Sequence, residues 1–136
     1  KNFQPDHAFD NGELAVRDER LAPRPLSPDV VRAHLADYYG MISHHDACLG
    51  RVLTALRETG QEENTAVVYV SDHGLALGSH GLLGKQNLYD HSIRVPLIVK
   101  WPGVARPGLV SAEPVTIPDL YPTLLAAAGS CFCPGH

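Results

Sequence analysis

Residues 66–103 read AVVYVSDHGLALGSHGLLGKQNLYDHSIRVPLIVKWPG, and this stretch decides the fold. It opens on an apolar, mostly β-branched run, Ala66 to Val70, fenced by Asn64 and by Ser71-Asp72. The run is too short for a helix and lacks polar alternation, so it predicts a buried strand. A second apolar run, Val95 to Val99, is bounded by Pro96 within it and by the turn Pro102-Gly103. Between them lies a loop with Gly74, Gly78, Gly81 and Gly84 that carries His80 and Lys85. In open α/β sheets the functional crevice lies beyond the carboxyl ends of the strands. Asp72 and His73 stand at such an end, and the sequence places the chemistry there.

The residue types suit an anion-handling site. Asp72 offers a hard anionic oxygen and His73 a nitrogen to a divalent cation, although two adjacent donors cannot hold one unaided. Lys85 is a compact cation, and the glycines allow backbone to approach an oxyanion closely. Together they suggest transfer of a sulfuryl or phosphoryl group, in which charge on the non-bridging oxygens needs neutralising. The same residues equally suit a cap-and-turn and a solvated lysine, and composition does not separate these. His80 is an outer partner candidate, His91 a hydrogen-bonded structural histidine, and Arg94 a rim charge.

Outward from this centre, residues 1–27 are polar and proline-bearing, with a turn expected at Asp10-Asn11-Gly12 and with Asp6 and His7 read as a surface loop pair. A long helix follows. Ser27 is its N-cap, Pro28 its first residue and Asp29 a partner for its positive end, while Gly60 closes it. Leu35, Ile42, Leu49 and Leu56 recur every seven residues, with Tyr38, Tyr39, Val52 and Leu53 filling the same face. About 30 residues make roughly 45 Å, long enough to cross a sheet larger than two strands. His44, His45 and Asp46 lie within it, and neighbouring helical positions point in different directions, so they are not expected to share a metal. Beyond the central stretch, Val110 to Val115 reads as a short returning strand. A second helix is expected from Thr116 to Gly129, with Leu120, Leu124 and Leu125 on its apolar face.

Composition sets outer limits. The chain has 136 residues, 44% hydrophobic, with net charge −4. Residues 1–63 hold seven Lys/Arg against eleven Asp/Glu, and the remainder is balanced. No basic stripe exists to neutralise a phosphate backbone, which argues against nucleic acid. No apolar run approaches the roughly 18 residues of a membrane helix, so no membrane partner is expected. Cys48, Cys131 and Cys133 form no disulfide framework, and Cys131, Cys133 and His136 make only a weak zinc pattern. The fold class is α/β with an incomplete sheet: residues 1–129 form part of a domain and 130–136 a terminal tail.

The run SDHGLALGSHGLLGKQNLYDHSIRVPLIVKWPG resembles the second metal-and-sulfate motif of the sulfatases, in the alkaline phosphatase superfamily. FDNGELAVRDERLAP, HLADYYGMISHHDACLGRVLTALRETG and IPDLYPTLLAAAG resemble successive segments of that family in the same order. The resemblance implies an alkaline-phosphatase-like sheet sandwiched by helices and a sulfuric ester hydrolase activity. It implies that Asp72 and His73 bind a divalent cation, usually Ca2+ with Mg2+ or Mn2+ as alternatives, and that Lys85 contacts sulfate. Substrates would be sulfate esters of the sugar or aryl class, in a periplasmic, secreted or lysosomal compartment. The family's nucleophile is a formylglycine made in a C-x-P-x-R type motif. Neither that motif nor the family's paired aspartates occurs here, since Cys133 is followed directly by Pro134. The expectation is a fragment of a catalytic domain, inactive alone, with a phosphate or phosphonate monoesterase, or a non-catalytic remnant, as the alternatives.

Overall fold

The computed structural model describes residues 2–8, 10 and 12–130; the terminal Cys131, Cys133 and His136 lie outside these. The chain divides into two compact units, residues 1–105 and 106–136.

In the first unit, helix α1 spans Pro28–Glu58. Ser27 accepts a hydrogen bond from the Val30 amide (3.2 Å) and satisfies one of the free N-terminal donors. At the other end Gly60 takes a left-handed φ of 69°, and the amides of Gly60 and Gln61 turn back onto the carbonyls of Arg57 and Leu56. The helix therefore forms as its end signals predict.

Strands β1 (Val67–Val70) and β2 (Leu97–Lys100) pair antiparallel, with Val67 opposite Lys100 and Val70 opposite Leu97. β2 starts two residues later than expected, because Pro96 has no amide to give to the ladder. Its carbonyl serves instead, accepting from the Ser71 amide at 3.4 Å. Within this chain β1 is less buried than its apolar run predicts. Val67 to Tyr69 are half-buried, Val70 is exposed, and all four β2 residues are exposed. Each strand has one hydrogen-bonded neighbour among the described residues, so nothing described there covers the second edge. An apolar groove of about 540 Å³ separates α1 from this sheet, lined by Met41, Ile42, Leu49, Tyr69 and Ile98 among others.

The packed core sits elsewhere, where the lead-in, the first turns of α1 and the glycine loop meet. Leu26, Val31 and Leu83 are almost fully buried, with Ala22 and Leu35 against them. Each such aliphatic side chain contributes about 1.5–3 kcal/mol through burial. Two short 3-10 turns, Glu13–Ala15 and Arg17–Glu19, shape the lead-in, and a single helical turn, α2 (Asp90–Ile93), precedes β2. The sequence reading anticipated none of these three.

In the second unit, helix α3 runs Ile117–Ala127 behind a capping box, in which Thr116 Oγ1 and the Thr116 amide both donate to Asp119 (2.7 Å each). Val110 to Val115 does not form the expected strand. Gly108 turns the chain at φ 75°, Ser111 bonds the Glu113 amide, and Val110 is 91% exposed. Without an adjacent strand edge, β-branched residues alone do not hold extended structure.

Candidate functional site

The loop after β1 folds back on itself. The amides of Ala76, Leu77 and Gly78 donate to the carbonyls of Gly84, Leu83 and Leu82 at 2.9, 3.3 and 2.7 Å. The reversal requires left-handed backbone at Leu77, Gly78, His80 and Gly81. Residues 2–4 lie alongside, with the His80 amide donating to the Asn2 carbonyl (2.9 Å) and Phe3 bridging Ser79. At its root, the Gly74 amide donates to the Ser92 carbonyl at 3.0 Å. A Cβ at Gly74 would run into the His91 carbonyl, so only glycine fits there.

Asp72 and His73 stand at the end of β1, two residues before this root. The Asp72 carboxylate is 81% exposed; one oxygen accepts from the His73 amide (3.0 Å), and the other lies 3.4 Å from His73 Nε2. His73 Nδ1 is 3.1 Å from the Gly74 carbonyl oxygen, which orients the ring and leaves Nε2 toward the carboxylate. An open carboxylate beside an oriented imidazole fits one side of a divalent-cation site. No group of three or more His, Cys, Asp or Glu gathers among the described residues. Lys85 follows Gly84, whose carbonyl is bonded to Ala76, so backbone hydrogen bonds connect the lysine to the strand end. Its side chain is 31% exposed, with Nζ 3.9 Å from Asp18 Oδ2.

A carboxylate clamp from the lead-in holds this loop, and sequence reading missed it. Glu19, 3% exposed, accepts from the consecutive amides of Leu83 (2.8 Å) and Gly84 (2.7 Å). Arg24 donates Nη2 to the same carboxylate at 2.7 Å and Nη1 to the Gly81 carbonyl at 2.6 Å. Both sides of the 81–84 turn are thus gripped by one buried, charge-assisted pair. Next to it, Asp18 accepts from Gln86 (3.0 Å) and from Arg17 (2.9 Å). The Gln86 and Arg17 hydrogen bonds hold the Asp18 carboxyl below the usual carboxylate range. The sequence signal, Asp18-Glu19 ahead of Arg24, is ordinary in a polar segment, and nothing local ties it to amides 64 residues away.

Imidazoles and a phenol pack the other flank. The His80 and Tyr89 rings stack at 4.2 Å with an interplanar angle of 1°, and His91 lies 5.6 Å from each. His7 corrects the surface-pair expectation: its side chain is 2% exposed, Nδ1 lies 2.7 Å from the His80 carbonyl, and its ring meets Tyr89 edge-on. Asp6, by contrast, stays exposed at 57%. His91 packs through its ring, and its Nε2 has no hydrogen-bond partner among the described residues. Burial, then the neighbouring His80, depresses the His91 pKa. Arg94 lies at the rim, 78% exposed and 3.5 Å from Asp90. On α1, His44 faces Cys48 (3.6 Å) while His45 faces Tyr69 across the groove, so the histidine pair diverges.

A sequence model of the sulfatase family matches residues 1–130. Zebrafish (Danio rerio) arylsulfatase K is 39% identical over 104 residues, covering 76% of this chain and 20% of the relative. The multifunctional alkaline phosphatase superfamily protein PehA of Trinickia caryophylli is 41% identical over 105 residues, again covering 76% and 20%. Among solved structures, the phosphonate monoester hydrolase SpPMH from Silicibacter pomeroyi superimposes with a TM-score of 0.73 at 35% identity, over 84% of this chain and 22% of that one. The chain spans about a fifth of the length of the curated relatives it matches. Its described strands and helices are part of an alkaline-phosphatase-like α/β fold. The chain belongs to the sulfatase family.

Proposed function

We propose that this chain forms part of the catalytic domain of a sulfuric ester hydrolase, in which Lys85 contacts the sulfate and Asp72 and His73 supply one side of a Ca2+ site. The observation that carries this reading is the ordered loop. It starts at an open Asp-His pair and returns by backbone hydrogen bonds to a half-exposed lysine. Lys85 offsets charge on a non-bridging oxygen, Asp72 and His73 donate oxygen and nitrogen to the cation, and the glycines keep the approach open. A bound cation would stabilise the developing anionic charge. No C-x-P-x-R run occurs in these 136 residues, so the chain alone is proposed to bind an anion without hydrolysing its ester. An exported compartment is proposed on family resemblance.

The test is to graft residues 1–130 over the matching segment of zebrafish arylsulfatase K and assay an aryl sulfate. Lys85→Ala in the graft is expected to lower kcat/KM about a hundredfold, as loss of one oxyanion donor does. An unchanged value removes Lys85 from the site. A phosphonate monoester hydrolase is the second reading, favoured by the likeness to SpPMH. Assaying the graft on aryl sulfate, phosphate and phosphonate monoester separates the two.

A further inference from the structure

We infer that Asp18 and Glu19 are positioning residues for Lys85, acting with opposite effects on how it meets an oxyanion. This rests on the reading of Lys85 as the anion contact and extends it to a segment outside the loop motif.

Glu19 acts through the backbone. Its two oxygens take the Leu83 and Gly84 amides, so one buried carboxylate fixes the 82–83 and 83–84 peptide units, while the Ala76 amide holds the Gly84 carbonyl of the unit that leads into Lys85. Arg24 completes the grip by holding that carboxylate and the Gly81 carbonyl together. Gly84 leaves no slack in this arrangement, because a Cβ there would crowd Glu19, Asp18 and Gln86 at about 3 Å. The start of the lysine side chain is therefore placed by Glu19.

Asp18 acts on the other end. It is a resident anion 3.9 Å from Nζ, and Gln86 and Arg17 hold it independently of the lysine. When an oxyanion arrives, the flexible lysine stem can swing while Asp18 stays with its other partners. Asp18 thus parks the ammonium and competes with the incoming anion. Glu19 raises anion affinity by pre-placing the lysine; Asp18 lowers it.

The experiment is a titration of the 15N-labelled 136-residue chain with inorganic sulfate. It reads the Lys85 and Gly84 resonances, with amide exchange at Leu83 and Gly84 measured in parallel. Asp18→Asn is expected to tighten sulfate binding about two- to fivefold, the size of an exposed ion pair. Glu19→Gln is expected to weaken it about tenfold and to speed Leu83 and Gly84 exchange at least as much, since one amide keeps only a neutral acceptor and the other loses its acceptor to an NH2 group. Arg24→Lys, which keeps the cation and loses the fork, should shift both readouts the same way by less, and it replaces Glu19→Gln should that variant unfold. A purely structural role would move both carboxylate variants in one direction. Shifts of the same sign, or an unchanged sulfate midpoint in either variant, overturn the proposal. A Gly84 response that survives Lys85→Ala, or no response at Lys85 in the parent, overturns the Lys85 reading instead. Exchange at Leu83 and Gly84 then decides the clamp: unchanged protection in Glu19→Gln ends it, and lost protection upholds it.

Discussion

In residues 74–84 most backbone amides find carbonyl or carboxylate partners and Ala76, Leu82 and Leu83 are buried, whereas β2, thirteen residues later, exposes all four of its side chains. The loop carries a core of Leu83, Leu26 and Val31, with Leu82 also buried, together with its own charged staple. The sheet has one ladder, an open apolar groove and exposed Ile98 (63%). Burial here follows polar pairing more than secondary structure. A glycine-rich loop can be the best-buried part of a chain, provided buried partners satisfy its backbone.

This contrast can be broken hardest at the staple. Glu19→Ala takes the close carboxylate from Arg24, which keeps the Gly81 carbonyl, and leaves two buried amides without an acceptor; it should cost about 3–5 kcal/mol in chemical denaturation, the range for breaking a buried pair. A loss under about 1 kcal/mol would mean that the loop is held by its apolar side chains. Gly74→Ala comes next, at about 1–3 kcal/mol, because the new methyl meets the His91 carbonyl and the root of the loop must shift.

Acid should act on the loop flank before it touches the sheet. The folded His91 has a depressed pKa, so the unfolded chain binds the extra proton more readily. Stability is then complete above the ordinary histidine value of about 6.5 and declines as pH falls through the lowered one. Tm is expected to drop between pH 7.5 and 5.5 in the parent and less in His91→Gln. Equal drops would exclude this histidine. Asp18, also depressed, adds a second loss only below about pH 4. Ile98→Thr on the open sheet face should change stability by no more than about 0.5 kcal/mol, and a larger loss would show that the groove is packed in solution.

The sequence made some of this legible. Ser27, Pro28 and Gly60 gave the bounds of α1 because caps act within a few residues. Thr116 and Asp119 did the same for α3. The Asp72-His73 and Lys85 loop stood out because its glycines and charges are contiguous. The Glu19 clamp was not legible, since the partners of Glu19 are main-chain amides and no side-chain pattern records them. His7 read as a surface residue for the same reason: what buries it, His80 and Tyr89, lies some 70 to 80 positions downstream. Val110 to Val115 failed in the opposite way, because β-branched composition describes a strand only where an edge is available to pair with it.

The 64 residues between Glu19 and the Leu83 amide also set an order of events during synthesis. At about 5–20 residues per second, the acidic lead-in leaves the ribosome roughly 3–13 s before the amides it will hold. For that interval Glu19 and Arg24 are hydrated side chains on a nascent chain, and α1 has already been made between them and their target. The loop closes only when residues 81–84 emerge, with α1 as a spacer that shortens the search. Ribosome-stalled chains ending shortly after Gly84 and well after it would time this closure.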